Sequence, residues 1–263
     1  MNPAPLAGLG ILVTRPAHQA AQLADLIRQA GGQPILFPTL EIVDLPDLQA
    51  LNALIDRLEQ FDLAIFISPN AVHKALNLIR ARRALPPALK IAAIGKGSRK
   101  ALAQFGVQNV IAPAQRFDSE ALLEHPELHH IAGRQVVIFR GDGGRELLGD
   151  VLVQRGAQIE YAECYRRQKP QADSSALRYL WARNELNAVT VTSAEALHNL
   201  YDIAGKLCQQ WLKKTPVFVP HERIAHTARE LGLEQVFVTE AGDEGMLAGL
   251  VAWRVRQNPS ATL

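Results

Sequence analysis

The stretch that decides the fold is Gly10-Ile11-Leu12-Val13-Thr14-Arg15-Pro16, followed by residues 17–30 and closed by Gly31-Gly32. Gly10 to Thr14 is a short apolar run without alternation, which suits a strand covered on both faces. Residues 17–30 bring Ala20, Leu23, Ile27 and Ala30 to one face at helical spacing. Glycine ends that helix, because it enters left-handed dihedrals without a Cβ clash. Ile35-Leu36-Phe37 then resumes the apolar pattern. Strand, helix and strand in this order make a β-α-β unit, and such units build parallel sheets flanked by helices.

The pattern continues outward. Leu63–Ile67, Ile91–Ile94, Val107–Ile111, Gln135–Phe139, Ile159–Ala162, Ala188–Thr192, Val217–Val219 and Val236–Val238 are further strand candidates. Landmarks recur at a constant offset of 125: Arg15 with Arg140, Gly31 with Gly156, Ser68 with Ser193, Gly95 with Pro220. This predicts a duplicated chain with two similar α/β domains. On the offset alone, the two halves would be consecutive. Linker candidates are Pro38-Thr39, Pro113-Ala114-Gln115 and Lys169-Pro170-Gln171.

Composition narrows the function classes. The 263 residues are 48% hydrophobic, 21% charged and only 6% aromatic. Lys+Arg number 28 against 26 Asp+Glu, a net charge of +2. No basic excess exists to drive nucleic-acid binding. Cys164 and Cys208 form no CxxC pair, which points to a reducing compartment. No apolar run reaches the roughly 18–20 residues of a membrane span. Met1-Asn2-Pro3-Ala4-Pro5 lacks the basic and apolar regions of a signal peptide. The expectation is a cytoplasmic protein without membrane contact.

Ligands of parallel α/β sheets bind beyond the carboxyl ends of the strands. Six turns fall there: Thr14-Arg15-Pro16, Ser68-Pro69-Asn70, Gly95-Lys96-Gly97-Ser98, Arg140-Gly141-Asp142-Gly143-Gly144-Arg145, Thr192-Ser193-Ala194-Glu195 and Pro220-His221-Glu222-Arg223. Helix N-termini carry free N–H groups and partial positive charge, so they attract anions. Arg15, Lys96, Arg140, Arg145 and Arg223 add full charges. The substrate-binding candidates are therefore Arg15, Ser68, Asn70, Gly95, Lys96, Ser98, Arg140, Gly141, Arg145, Thr192, Ser193, His221 and Arg223. Ser68 and Ser193 are equally well explained as helix N-caps.

Sharper motifs fail. Gly95-Lys96-Gly97-Ser98 has Lys90 where a P-loop needs its first glycine, and Gly141-Asp142-Gly143-Gly144 meets Glu146 instead of completing G-x-G-x-x-G. His221 and His226 stand one residue too far apart for H-E-x-x-H, and no G-x-S-x-G occurs. No metal site is expected. Tyr161 and Tyr165, in Tyr161-Ala162-Glu163-Cys164-Tyr165-Arg166-Arg167, could supply a proton at a domain crossing or simply pack the linker.

Leu12-Val13-Thr14-Arg15-Pro16, Phe66-Ile67-Ser68-Pro69-Asn70-Ala71-Val72, Ala93-Ile94-Gly95-Lys96-Gly97-Ser98, Phe117-Asp118-Ser119-Glu120-Ala121-Leu122-Leu123, Arg140–Leu148 and Tyr165-Arg166-Arg167 occur in that order. This ordered set resembles the bacterial uroporphyrinogen-III synthases, over about residues 9–250. The resemblance implies two flavodoxin-like domains with parallel sheets, a two-stranded β-ladder hinge and an interdomain cleft. It also implies a crossover: residues 1–37 with 170–263 as one domain, 41–166 as the other, and hinge segments 38–40 and 167–169. The implied reaction closes the linear tetrapyrrole hydroxymethylbilane to uroporphyrinogen III, with loss of water, inversion of the last ring and no cofactor. Tyr165 matches the family's cleft tyrosine and becomes the candidate general acid. The family suggests a monomer in transient contact with hydroxymethylbilane synthase. Pro220-His221-Glu222-Arg223 departs from the Gly-Pro-Thr-Thr turn of some members, so a hydroxyl role there does not transfer. The rival reading is a non-catalytic two-domain binder of a small polyanion.

Overall fold

The computed structural model describes residues 4–114, 116–143 and 146–257. Its elements follow the apolar runs. The first β-α-β unit is β1 (Gly10–Val13), α1 (Ala17–Gln29) and β2 (Gln33–Leu36). Then come β3 (Glu41–Val43), α2 (Gln49–Asp56), β4 (Leu63–Phe66), α3 (Pro69–Arg82), β5 (Lys90–Ala93), α4 (Lys96–Gln104), β6 (Val110–Ile111) and α5 (Ser119–Leu123). The second half holds β7 (Gln135–Gly141), α6 (Leu147–Gln154), β8 (Gln158–Gln168), α7 (Ser175–Ala182) and β9 (Ala188–Thr190). It closes with α8 (Ala194–Lys214), β10 (Val217–Val219), α9 (Glu222–Glu230), β11 (Val236–Val238) and α10 (Asp243–Gln257). α8 is broken at Gly205, where φ is 66°. No helix among the described residues is long and apolar enough to cross a membrane.

The chain divides into two units, Met1–Glu41 with Gln168–Leu263, and Ile42–Arg167. The first contains a five-stranded sheet ordered β11-β10-β9-β1-β2. The second contains a six-stranded sheet ordered β3-β8-β7-β4-β5-β6. The expected parallel pairing holds from β11 through β2 and from β8 through β6. Several expected strands end before their apolar runs do, β1 at Val13, β4 at Phe66, β5 at Ala93 and β9 at Thr190, and one loses most of its run. Val107 N donates to Leu102 O at 3.0 Å, which ties that residue to the end of α4 and leaves only Val110–Ile111 as β6.

The repeat is visible in the topology, and it is exchanged. At the offset of 125, β1-α1-β2 corresponds to β7-α6-β8, and β4-α3-β5-α4-β6 to β9-α8-β10-α9-β11. Each sheet combines the short segment of one repeat with the long segment of the other. Counted from its short segment, either sheet has the flavodoxin-like strand order 2-1-3-4-5, with β3 added beyond β8 at the edge of the second.

Each sheet is covered on both faces, which explains the continuous apolar runs. In the first unit, Ile11 and Val13 meet α1 and α10, while Leu12 meets the α8 and α9 side. In the second, Val136 and Ile138 meet α5 and α6, while Val137 and Phe139 meet α2, α3 and α4. Gly10 fixes the start of β1. Its N–H donates to Asn187 Oδ1 and its carbonyl accepts from Asn187 N, both at 2.8 Å. A Cβ at Gly10 would lie 1.7 Å from the Glu185 carbonyl oxygen. That neighbour is backbone and cannot swing aside. Gly10→Ala is expected to cost about 1–3 kcal/mol through overpacking, read as a lower midpoint in urea unfolding. An unchanged midpoint would show that the β1–β9 entry is looser than described.

Candidate functional site

Parallel pairing delivers the carboxyl ends of the strands, and the starts of the following helices, to one edge of each sheet. The order 2-1-3-4-5 places a topological switch point between β1 and β9 in the first unit, and between β7 and β4 in the second. The turns picked out in the sequence sit at these edges.

In the second unit, Ser68 caps α3: its Oγ accepts from Ala71 N at 3.1 Å. Pro69 follows at the first helical position, where its missing N–H costs nothing. Tyr165, on β8, places its Oη 3.0 Å from Ser68 Oγ, and either hydroxyl can donate. Tyr165 reaches Ser68 across the end of β7. There the register shifts: Arg140 pairs with Glu163 but Gly141 pairs with Tyr165, leaving Cys164 as an extra residue. Tyr165 is 5% exposed and packs with Ala162, Cys164, Val137 and Phe139. Burial pushes its phenol above the ordinary value, opposed by the hydrogen bond with Ser68 and the charge of Arg167. The buried Cys164 thiol is pushed up to about 12, chiefly by burial, which keeps it protonated and unreactive.

Asp142 braces the same corner. Its N–H donates to Tyr165 O at 2.9 Å, and its Oδ1 accepts from Arg167 N at 2.9 Å. Arg166 lies 3.6 Å from its other carboxylate oxygen. Sequence reasoning misses Asp142 as a site residue. Its only signal is a position inside a glycine-rich turn.

Gly95 caps α4 with backbone alone. A Cβ at Gly97 would meet Pro69 Cγ at 3.1 Å, so the first turns of α3 and α4 are neighbours. Lys96 is exposed, and its Nζ lies 4.8 Å from the centre of the Phe117 ring. Asn70 is half-buried and Ser98 is buried in the first turn of α4.

Arg140 does not join Ser68 and Tyr165. It lies on the α6 face, 3% exposed, with its guanidinium 4.8 Å from the Tyr161 ring centre. Its Nε donates to Gly143 O at 3.0 Å and Gly141 O at 3.3 Å, holding its own turn. Tyr161 packs on α6, where a Cβ at Gly149 would come 2.0 Å from its hydroxyl. The two tyrosines therefore occupy opposite faces of the sheet. Arg145 lies outside the described residues.

In the first unit, Arg15 lies on the equivalent face and forms an ion pair with Asp243 at the start of α10. Its charge is neutralised within the protein. Thr14 and Thr190 are buried and donate reciprocally, to Thr190 O at 2.9 Å and to Leu12 O at 3.0 Å. Thr39 Oγ1 donates to Ala196 O at 2.9 Å, and Asn199 Nδ2 donates to Thr39 O at 2.8 Å. Ser193 caps α8, accepting from Ala196 N at 3.0 Å, with half-buried Thr192 beside it. His221 occupies the N-cap of α9 without a side-chain capping bond, and both His221 and Arg223 are exposed.

Residues 21–248 match the sequence profile of a family described as uroporphyrinogen-III synthase HemD. The uroporphyrinogen-III synthase of Salmonella typhimurium is 35% identical over 91% of this chain and 98% of its own. That of Escherichia coli K12 is 34% identical with the same coverage, 91% and 98%. Among solved structures, a mutant uroporphyrinogen III synthase of Thermus thermophilus superposes with TM-score 0.64 at 17% identity, covering 95% of this chain and 99% of that one. The Helicobacter pylori synthetase gives 0.60 at 15% identity, covering 93% and 99%. At such identities these two establish likeness of fold.

Both capping serines carry a stability consequence. Ser68→Ala and Ser193→Ala each take the side-chain acceptor from one helix N–H, Ala71 N or Ala196 N, and should each cost about 1 kcal/mol in equilibrium denaturation. No loss for either would show that the cap geometry is not used in solution.

Proposed function

The chain belongs to the uroporphyrinogen-III synthase family, the cyclising hydroxymethylbilane hydro-lyases of porphyrin and heme biosynthesis, and from that premise we propose that Tyr165 is its general acid. The observation that carries this reading is the buried Tyr165 hydroxyl at the switch point of the second unit, 3.0 Å from Ser68 Oγ. Ser68 Oγ already accepts from Ala71 N. With its own proton donated to Tyr165 Oη, the tyrosine proton is left for substrate.

Hydroxymethylbilane carries eight carboxylates on its acetate and propionate arms. Taken by itself, each unit has helix starts whose backbone N–H groups suit such arms: those at Ser68 and Gly95 in the second, with Lys96 as an exposed cation and Asn70 as a neutral donor, and those at Ser193 and His221 in the first, with Arg223 and Thr192 in the same roles. Arg15 and Arg140 act more simply as props of the turns that carry these groups, through Asp243 and through the carbonyls of Gly141 and Gly143.

The chemistry needs little else. The C–O bond of the hydroxymethyl group breaks as Tyr165 gives its proton, so hydroxide leaves as water and the electron-rich pyrrole absorbs the positive charge. The substituted carbon of the last ring attacks and forms a spiro intermediate. This fragments and recloses with the ring inverted, and the proton lost on rearomatisation restores Tyr165. Positioning supplies the isomer selectivity, because the unassisted chain closes to the type I product. Substrate instability suits direct receipt from hydroxymethylbilane synthase by a cytoplasmic monomer.

Incubation with freshly made hydroxymethylbilane should yield the type III isomer. Exclusive type I product would overturn the activity. Tyr165→Phe should slow turnover by about 10²–10⁴-fold, the usual range for a lost general acid. The sign of the pH effect follows from burial. A phenol raised above its ordinary value of 10.0 stays protonated through neutral pH, so its contribution as an acid is lost on the alkaline side of that value. Tyr165→Phe should lack that alkaline fall, and wild-type turnover in a folded Tyr165→Phe protein would remove Tyr165 from the mechanism.

A further inference from the structure

We propose that Gly141, with the register shift beside it, is the positioning residue that delivers the Tyr165 hydroxyl to the switch point. The inference rests on the reading of Tyr165 as the proton donor.

Strict alternation along β8 would send Tyr165 to the wrong face. Tyr161 lies on the α6 side, whereas Ala162 and Cys164 pack on the side of α3. Continuing that alternation, residue 165 belongs with Tyr161. The extra residue at Cys164 turns Tyr165 back to the α3 side, where Ser68 stands. Re-aiming one side chain is what a bulge does in an otherwise regular ladder.

Turning the side chain is not enough, because the path to Ser68 crosses β7. The ring lies directly over Gly141. A Cβ at that position would stand 2.5 Å from Tyr165 Cε2, 2.7 Å from Cζ and 3.1 Å from Oη. No real Cβ sits so close to a ring. Any other residue at 141 lifts the phenol off the strand and carries the hydroxyl away from Ser68. The left-handed region is not the reason for glycine here, since Gly141 is absent from the positive-φ glycines. Its requirement is space for the ring.

The other unit provides an internal contrast. At the offset of 125, Pro16 stands in place of Gly141 and Leu40 in place of Tyr165, while Ser193 still matches Ser68. Where no ring must cross, no glycine stands in its way. The serine cap persists without the tyrosine, so capping alone does not explain the glycine.

The test is Gly141→Ala, assayed beside Tyr165→Phe and the double variant. A displacement of about 1 Å of a catalytic group costs on the order of a hundredfold in rate. Gly141→Ala should therefore lose about that factor in kcat with KM within about twofold, and lose the alkaline fall of the pH profile. Added to Tyr165→Phe, it should cost little further turnover, because the group it positions is already gone. Wild-type kcat and pH profile for a folded Gly141→Ala protein would overturn the proposal. So would full additivity with Tyr165→Phe. If Tyr165→Phe alone is fully active, it is the general-acid reading that fails. Should Gly141→Ala unfold, melting temperatures decide. The alanine should lower the melting point when residue 165 is tyrosine and leave it unchanged in a Tyr165→Ala background. An equal drop in both would show that the strand, and not the ring, requires the glycine.

Discussion

The parallel pairing of β1 with β9, and of β7 with β4, is the constraint on which both sheets depend. Each of these seams joins strands from different repeats. Backbone ladders close them, and side chains reinforce them in two different ways. In the first unit the buried Thr14 and Thr190 hydroxyls cross the seam in both directions. In the second, Phe66 and Phe139 stack across it, with ring centres 4.7 Å apart and planes inclined by 9°. Polar reciprocity and aromatic stacking are two ways to join a short segment of one repeat to a long segment of the other.

The same seams are where strand order reverses, and the reversal opens the edge of the sheet. Helices leave in opposite directions on either side of the seam, so the strand ends there are not covered by a following connection. In the second unit the opening is filled by Tyr165 and Ser68, in the first by Thr14, Thr190 and Thr39. Two copies of one architecture thus carry different chemistry. One holds a buried tyrosine hydroxyl against a serine cap, the other a closed hydrogen-bond network that ties the departing chain at Thr39 to α8.

Much of this is legible in the residues. Continuous apolar runs mark the strands because both sheet faces are covered, and the offset of 125 marks the duplication because the β-α-β segment and the β-α-β-α-β segment both recur on it. The exchange of segments is not legible from the offset, since repeat periodicity says nothing about which copy pairs with which. The resemblance to the family supplies it. Arg15 and Arg140 read as free cations because their turns lie at strand ends, but position in a strand also fixes the face. That face carries Asp243 for one and Tyr161 for the other. Tyr165 stands out by its sequence match, while the reason it reaches Ser68 lies in a one-residue shift that periodicity hides. Val107 fails as a strand residue because a helix end competes for its N–H.

A net charge of +2 is no obstacle to a substrate with eight carboxylates. A basic surface would attract such a polyanion at long range, yet salt screens that attraction within about 8 Å at physiological ionic strength. It would also hold every arm equally well and so favour no particular folding of the chain. Backbone N–H groups at helix starts act differently. They are fixed in direction by the strand before them, they are strongest at contact, and they add no net charge. An enzyme that must choose one closure over another gains more from oriented donors than from charge. The pairing of Arg15 with Asp243 follows that logic: a cation at the edge is cancelled locally, and the helix start beside it keeps its direction without adding charge.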